Sequence, residues 1–187
     1  MTSNFNTYID SPSVGFWREL CLREGTLRHF DKGENFFTAG HVAQYFGYIK
    51  SGTLKYVAYS DDGTEHVLGL EFAGEFVTDF PFSLYGRKAR TSVVAETPCE
   101  IYCVSTSMLG ERIKTDCLLK DMVMMGTEAV FSTVYDRYKD LYVKSAQERY
   151  KDLISKHPDI FSLFPLKDIA SFLNVSQTHL SRMRKNI

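Results

Sequence analysis

The hydrophobic residues of this 187-residue chain change their spacing once, near Ser105. Before that point, short runs of β-branched and aromatic residues alternate with turn residues, as in LRHFDKGENFF and YFGYIKSGTLKYVAYS. After it, apolar residues recur three and four positions apart, which is typical of one face of a helix. The sequence therefore predicts a chain made of strands first and of helices afterwards, in the α+β class.

The first part of the chain predicts an antiparallel sandwich or barrel of roughly eight short strands. The chain contains 14 Phe and 11 Tyr, which suit a sheet with wide side chains. Asp62-Gly63 is a strong signal for a two-residue hairpin turn. We expect Leu68, Leu70 and Phe72 to share one face of the strand that returns from it.

The long helical segment that begins near residue 116 carries two apolar stripes. The first contains Leu118, Met122, Met125 and Ala129, and the second contains Leu119, Val123, Val130, Val134 and Leu141. A helix with two apolar stripes has two surfaces to bury. We expect the first stripe to pack on the strands and the second on the same helix of another chain, as a homodimer. The alternative is a helix that one chain buries on both sides. The aromatic residues of this helix are interpreted as packing residues and not as a cofactor site: Phe131, Tyr135, Tyr138 and Tyr142.

The signals that follow predict shorter helices. Ser145 and Glu148 form the sequence of a capping box, so a helix begins there. His157-Pro158 ends that helix, because the residue before a proline disfavours helical backbone. Pro165 suits the first turn of a further helix.

The end of the chain, KDIASFLNVSQTHLSRMRKNI, has the layout of a helix-turn-helix. Asn174 tolerates the left-handed backbone of a tight turn, and Ser176 is an N-cap for the last helix. Leu180 and Met183 face inward from that helix. Its outward side chains suit base edges and phosphates: Gln177, Thr178, Ser181, Arg182 and Lys185. The alternative is a helical hairpin with a solvated polar face.

Charge is distributed unevenly along the chain, whose net charge is −1. The residues from Lys144 onward include eight Lys and Arg and four Asp and Glu, a net charge of +4, which leaves −5 for the residues before them. A basic segment behind an acidic body is a hint of nucleic-acid contact.

Other classes of protein need residues that we do not find in the sequence. MTSNFNTYIDSPSVGFW has no basic start followed by an apolar run, so we expect no signal peptide. No uncharged apolar stretch of the sequence is long enough to span a bilayer, so we expect no membrane span and a cytoplasmic protein. The four cysteines form no CxxC pair, and Cys99 and Cys103 are interpreted as core residues. The five histidines form no HxH or HExxH pair. We therefore expect no metal site and no enzyme of the cupin type. We expect no enzymatic activity of another kind either.

Three stretches resemble the Crp/Fnr family of bacterial transcription regulators, and the resemblance runs along nearly the whole chain. They are KSGTLKYVAYSDDGTEHVLGLEFAGEF, CEIYCVS and SAQERYKDLISKHPDIFSLFPLKDIASFLNVSQTHLSRMRK, of which the last is the most specific and is typical of a branch with a compact DNA-binding end. The resemblance implies a cyclic-nucleotide-binding-type β-roll, which is an antiparallel, cupin-like jelly roll, over residues 1–115. It implies a dimerisation helix over 116–143 and a helix-turn-helix DNA-binding domain over 144–187.

The resemblance also implies a function. The protein would be a dimeric, sequence-specific transcription regulator, with double-stranded DNA and RNA polymerase as its partners and no membrane contact. The residues that it places on DNA are base-reading Gln177, Thr178 and Arg182, the helix cap Ser176, and Ser181 or Lys185 on phosphate.

Two features of better-known members are not expected here. A β-hairpin wing usually follows the recognition helix, whereas only Asn186 and Ile187 follow Lys185, so we expect no wing and a small DNA footprint. Oxygen-sensing members have an N-terminal cysteine cluster, whereas only Cys21 lies near that end of this chain.

The candidate effector residues are Gly74, Glu75, Arg90 and Thr91, and their pattern is irregular. The members that bind cyclic AMP have an arginine where Ala89 stands, so Arg90 is one place off. A cyclic phosphate needs a fixed cation and backbone amides. The shift therefore indicates that the effector is not cyclic AMP.

The helix side of the pocket differs too, because Val134 and Tyr135 stand where cyclic-AMP-binding members have a Thr-Ser pair. The sequence indicates no cofactor other than an unidentified small-molecule effector. The aromatic residues that can fill the pocket in its place are Phe76, Phe80, Phe82 and Tyr85. An alternative function also stays open, a ligand-binding β-roll module whose helical C-terminus makes protein contacts instead of binding DNA.

Overall fold

The computed structural model describes residues 4–185 of the chain. Residues 1–3, on which the expectation of no signal peptide partly rests, lie outside the described residues. So do Asn186 and Ile187, on which the expectation of no wing rests. Both expectations stay predictions.

The strands form two four-stranded sheets. Within residues 4–185 they are β1 Thr26–Phe30, β2 Asn35–Phe37, β3 Tyr45–Ser51, β4 Leu54–Tyr59, β5 Glu65–Glu71, β6 Phe76–Val77, β7 Ser92–Ala95 and β8 Cys99–Ser105. One sheet has the order β1-β8-β3-β6 and the other β2-β7-β4-β5. The strand pairs of this part of the chain are antiparallel, which confirms the predicted β-roll.

The core of the roll lies between the two sheets. Ile49, Leu54 and Ile101 come from three different strands and are fully buried there. Each occupies an inward position of the alternating pattern, because successive side chains of a strand point to opposite faces. Cys99 and Cys103 are buried in the same core, as expected.

The β4–β5 hairpin forms at the predicted turn, with Gly63 at a φ of 82° that glycine adopts without strain. The predicted inward face of β5 is wrong at one position. A register shift in the pairing with β4 inverts the alternation. Val67 therefore joins Leu70 and Phe72 in the core, whereas Leu68 is 52% exposed.

The described residues also contain seven helices and two 3₁₀ turns, the latter at Thr7–Asp10 and Ser83–Tyr85. The helices are α1 Val14–Glu24, α2 Thr106–Arg112, α3 Cys117–Val143, α4 Ala146–Lys156, α5 Ile160–Leu163, α6 Leu166–Phe172 and α7 Gln177–Lys185. The capping box of Ser145 and Glu148 is confirmed at the start of α4, and His157 ends that helix.

The long helix α3 buries, within its own chain, part of the stripe that we expected to face a partner. Leu119 and Val123 belong to a buried cluster that also contains Trp17 and Leu20 of α1 and residues of β3, β6, β8 and α2. Leu118, from the stripe that we expected to pack on the strands, is 60% exposed. The assignment of the two stripes is therefore wrong over the first half of α3. The reason is a shared core cluster, to which α1, a helix that the sequence analysis did not predict, contributes Trp17 and Leu20.

The C-terminal helices share a core with the sheet that contains β5. Val67 and Leu70 of β5 belong to the same buried cluster as Tyr150 of α4, Ile169 of α6 and Leu180 of α7. Burial of apolar surface is the main favourable term in folding. The helix pair α6–α7 is therefore fixed on the β-roll by apolar packing.

Candidate functional site

The helices α6 and α7 lie on either side of a tight turn at the end of the described chain. Asn174 in this turn has a φ of 53°, as the sequence predicts. The Ser176 hydroxyl accepts a hydrogen bond from the backbone N–H of His179 at 3.2 Å and so caps α7. Leu180 and Met183 are buried on the inner side of α7. The two helices and their turn therefore have the predicted arrangement.

The outer side of α7 is polar and faces solvent. Arg184, next to the end of α7, lies over the ring of Phe161, with 4.1 Å between its guanidinium carbon and the ring centroid. This contact turns Arg184 towards its own chain. The residues that the sequence predicts to contact DNA are exposed or half-buried on α7 or at its cap: Ser176, Gln177, Thr178, Ser181, Arg182 and Lys185.

A buried ion-pair network ties α6 to the β-roll. The Lys55 ammonium on β4 donates to Asp168 of α6 at 2.7 Å and to Glu65 at 2.9 Å, and it lies 3.6 Å from Glu96. Burial lowers the pKa of Lys55, but the hydrogen bonds to Asp168 and Glu65 outweigh that effect and raise it. Lys55 is therefore a buried cation that is held between carboxylates of the roll and of the helix pair.

A cavity of about 270 Å³ lies between the β-roll and α3. Phe76 and Phe80, which we expected in this region, form part of its wall, whereas Tyr85 is 64% exposed. The wall is mainly apolar and aromatic. Its principal members are Trp17, Phe46, Tyr56, Leu68, Phe76 and Phe80 from the N-terminal helix and the roll, and Gly126, Val130 and Val134 from α3.

A buried polar cluster borders this cavity. The Asn6 amide donates to Glu71 at 3.0 Å and to Glu75 at 2.6 Å, and the Tyr8 hydroxyl donates to Glu71 at 2.7 Å. Arg137 of α3 donates to the side-chain oxygen Oδ1 of Asn6.

The surroundings of this cluster raise the pKa values of its two carboxyl groups. Burial raises the pKa of Glu71 well above its ordinary value, and the charge of Glu75 raises it further. Burial also raises the pKa of Glu75. Because two adjacent carboxyl groups resist double ionisation, the pair favours a state that retains a proton.

The four predicted effector residues lie in different surroundings. Thr91 lines the cavity, whereas Glu75 is buried in the polar cluster. Gly74 takes a left-handed turn conformation, with a φ of 90°, before β6. Arg90 is exposed, and its guanidinium carbon lies 4.9 Å from the ring centroid of Phe82. Their role in effector binding stays a prediction.

The outer face of α3 carries a row of exposed aromatic side chains. Phe131, Tyr135, Tyr138 and Tyr142 are between 56% and 74% exposed. Their spacing of four, three and four residues is the heptad spacing of a helix–helix seam. We name these four residues the aromatic seam. The neighbouring Val134, from the stripe that we expected to face a partner, is also exposed.

The sequence analysis missed several residues of the cavity and its cluster. Arg137 had a signal, because it follows Val134 by three positions and so interrupts an apolar stripe with a charge. Asn6 and Tyr8 had no such signal in the sequence. They lie more than sixty positions from Glu71 along the chain, and folding alone brings them into contact with it.

Two classes of feature are absent from the described residues. No group of three or more His, Cys, Asp or Glu side chains in residues 4–185 could hold a metal ion. None of the helices in that range is long and apolar enough to cross a bilayer.

Comparison with known proteins identifies the fold. Residues 27–116 match the family model of the cyclic nucleotide-binding domain. FixK2 from Bradyrhizobium japonicum superposes with a TM-score of 0.77 at 16% identity, over 87% of this chain and 83% of its own. A protein from Eubacterium rectale assigned to the Crp/Fnr family of transcriptional regulators superposes with a TM-score of 0.73 at 17% identity, over 90% and 81%. The chain has the fold of the Crp/Fnr regulators.

A further structure of the same fold is CLP from Xanthomonas campestris, described as a global regulator that responds to c-di-GMP. It superposes with a TM-score of 0.65 at 18% identity, over 92% of this chain and 90% of its own. No curated protein sequence matches the chain significantly. The family model and these structures confirm the resemblance seen in the sequence.

Proposed function

We propose that the protein is a dimeric, sequence-specific DNA-binding transcription regulator. In this proposal residues 1–115 are the sensor, 116–143 the dimerisation helix and 144–187 the DNA-binding domain. The observation that carries it is the two-sided character of α7. Leu180 and Met183 anchor the inner side, and Gln177, Thr178 and Arg182 are exposed on the outer side.

The chemistry of the outer side supports DNA as the partner. An arginine can form two hydrogen bonds with guanine, and a glutamine can do so with adenine. Lys185, at the end of α7, can neutralise a phosphate. The net charge of +4 from Lys144 onward favours a polyanion near this part of the chain.

The aromatic seam supports the dimer. Four exposed aromatic residues at heptad spacing on one helix suit a second copy of the same helix. A two-fold axis would place two α7 helices on one duplex. Their centres would be roughly 34 Å apart, which is one turn of DNA.

The test starts from a binding site that is selected from random DNA, and it compares Arg182→Ala with Lys185→Ala. Arg182→Ala is expected to cost about 1–3 kcal/mol on the selected site and to relax preference at one base pair in each half-site. Lys185→Ala is expected to weaken binding to all sequences alike. It should also reduce the slope of log affinity against log salt concentration by about one unit for each phosphate contact that is lost. Fluorescence anisotropy over a series of salt concentrations measures both effects.

Unchanged affinity and preference in Arg182→Ala would contradict the assignment of α7 as the recognition helix. If the wild-type chain selects no DNA at all, the alternative is a β-roll module whose helical C-terminus contacts protein.

A further inference from the structure

We propose that the cavity between the β-roll and α3 binds an uncharged, largely aromatic small molecule, and that this class of molecule, not a cyclic nucleotide, is the effector. To call this molecule an effector rests on the proposed function, because only a regulator has an effector. The binding itself depends on the residues of the cavity alone.

The walls of the cavity suit an aromatic guest. Phe46 and Phe80 are stacked, with their ring centroids 4.9 Å apart and their planes at 10°. Phe46 stacks also on Phe76 at 5.5 Å, and Trp17 contacts Phe80 edge-on at 5.6 Å. Small-molecule pockets are lined mainly by apolar and aromatic side chains, with a few polar groups that set orientation. Here Glu71, Thr78 and Thr91 supply polar groups.

The volume of the cavity limits the size of the guest. An apolar cavity of about 150 Å³ in another protein is large enough for benzene. A cavity of about 270 Å³ therefore suits a molecule of one or two rings with a short substituent. The exposed Leu68 and Val134 are also lining residues, so the cavity reaches the surface between them.

The charges around the cavity are unfavourable for an anion. Glu71 lines it, and Glu75 lies directly behind. The lining cation Arg137 donates to Asn6, and the charges of Glu71 and Glu75 already act on it. An anionic guest would lose its hydration and would have to compete with these carboxyl groups for this lining cation, which is costly in a buried site.

The arginine that a cyclic phosphate would need is also elsewhere. Arg90 does not line the cavity and lies over Phe82, outside it. Val134, which lines the cavity, has no hydroxyl group for a nucleotide base. An uncharged guest needs neither group, and a donor on it can bond to the carboxyl group of Glu71.

The fluorescence of Trp17, the single tryptophan of the chain, shows whether a guest occupies the cavity. Trp17 lines the cavity and is 4% exposed, so a guest beside it changes its fluorescence. The probes are para-propylbenzamide and para-propylbenzoate, which have the same shape and differ in charge, together with cyclic AMP. We expect the amide to bind, and the benzoate and cyclic AMP to bind about tenfold more weakly or worse, because they bring an unpaired charge into the site. Equal or tighter binding of the benzoate or of cyclic AMP would overturn the proposal.

A matched pair of variants locates the binding. Val130→Phe fills the cavity, whereas Val143→Phe makes the same change at an exposed position at the end of the same helix, outside the cavity. Val130→Phe should abolish the response of Trp17 to the amide, and Val143→Phe should keep it. If Val130→Phe does not fold, Gly126→Ala replaces it, because the added Cβ would lie 3.2 Å from the Trp17 indole nitrogen. That variant should weaken the amide response, and an unchanged response would overturn the proposal.

The DNA experiment separates this inference from the proposed function. Selective DNA binding without any amide response would overturn the inference alone. An amide response that Val130→Phe removes, in a chain that selects no DNA, would support the cavity and overturn the proposed function.

Discussion

Asp79 lies between β6 and the 3₁₀ turn at Ser83–Tyr85, and its Oδ2 atom is buried without a hydrogen-bond partner among the described residues. Burial raises the pKa of this carboxyl from 3.8 to about 6, although the positive charge of Arg90 acts in the opposite direction. Between these two values, the folded state binds a proton that the unfolded state has lost. Stability therefore falls as the pH rises through this window, and it stays lower above it.

Asp79→Asn removes this pH-dependent loss of stability, because the amide side chain has no charge to bury. We expect the variant to melt at a higher temperature than the wild type above pH 6. The difference should disappear below pH 3.8, where the aspartic acid is neutral in both states. Thermal melts over a range of pH measure the effect, with Asp61→Asn, at an exposed turn, as the control. A difference in melting temperature that does not change with pH would contradict the prediction.

Single residues were predictable from the sequence where their role is local. The turn at Gly63, the left-handed Asn174 and the caps Ser145 and Ser176 depend on neighbours within a few positions, and all four are confirmed. Asn6 depends on strand β5 and on α3, far away in the chain, so no local pattern indicated it.

At the scale of elements, α3 has one face inside the chain and one that no described residue covers. The buried face includes Val123, which lies in one core cluster with residues of α1, and the open face carries the aromatic seam. A charge at each face therefore has a different effect. Tyr138→Glu is expected to convert the proposed dimer to a monomer that keeps its fold. Val123→Glu is expected to unfold the chain, because it places a charge in a core without a partner.

Light scattering gives the mass and circular dichroism the fold of each variant. Ser132→Glu, on an exposed face of α3 beside the aromatic seam, is the control and should remain dimeric. A folded monomer from Val123→Glu, together with a dimer from Tyr138→Glu, would show that the stripe with Val123 is the interface after all.

The periodicity of α3 predicted that the helix has apolar faces but could not tell which surface each face meets. Leu119 and Val123 have the same spacing as the residues of the aromatic seam. A core cluster to which α1 contributes distinguishes the two faces, and the sequence of α1 lies more than ninety positions earlier. Strand β5 was unpredictable for a similar reason. Leu68 fits the alternating apolar pattern of β5, but the register shift in the pairing with β4 turns it outward.

At the scale of the whole molecule, the β-roll and the helix pair are one packed body. Phe72, at the end of the β4–β5 hairpin, stacks on His157 with their ring centroids 3.7 Å apart. Lys55 and Asp168 add a buried ion pair across the same boundary. The resemblance predicted separate domains in sequence order but not this shared core, because contacts across a domain boundary leave no periodic pattern in the chain.

This shared core predicts that the two parts unfold together. Leu173 is buried in the shared core, and Trp17 lies in a different core cluster, beside α3. Leu173→Ala leaves a cavity in the helix pair and is expected to cost about 2–5 kcal/mol. If unfolding is cooperative, the urea transition of Trp17 fluorescence should move by the same amount as the transition of helical circular dichroism. Val143→Ala, at an exposed position, should move neither. An unmoved Trp17 transition in Leu173→Ala would mean that the helix pair unfolds separately from the roll. The contacts of Lys55 and Phe72 would then be too weak to join the two parts.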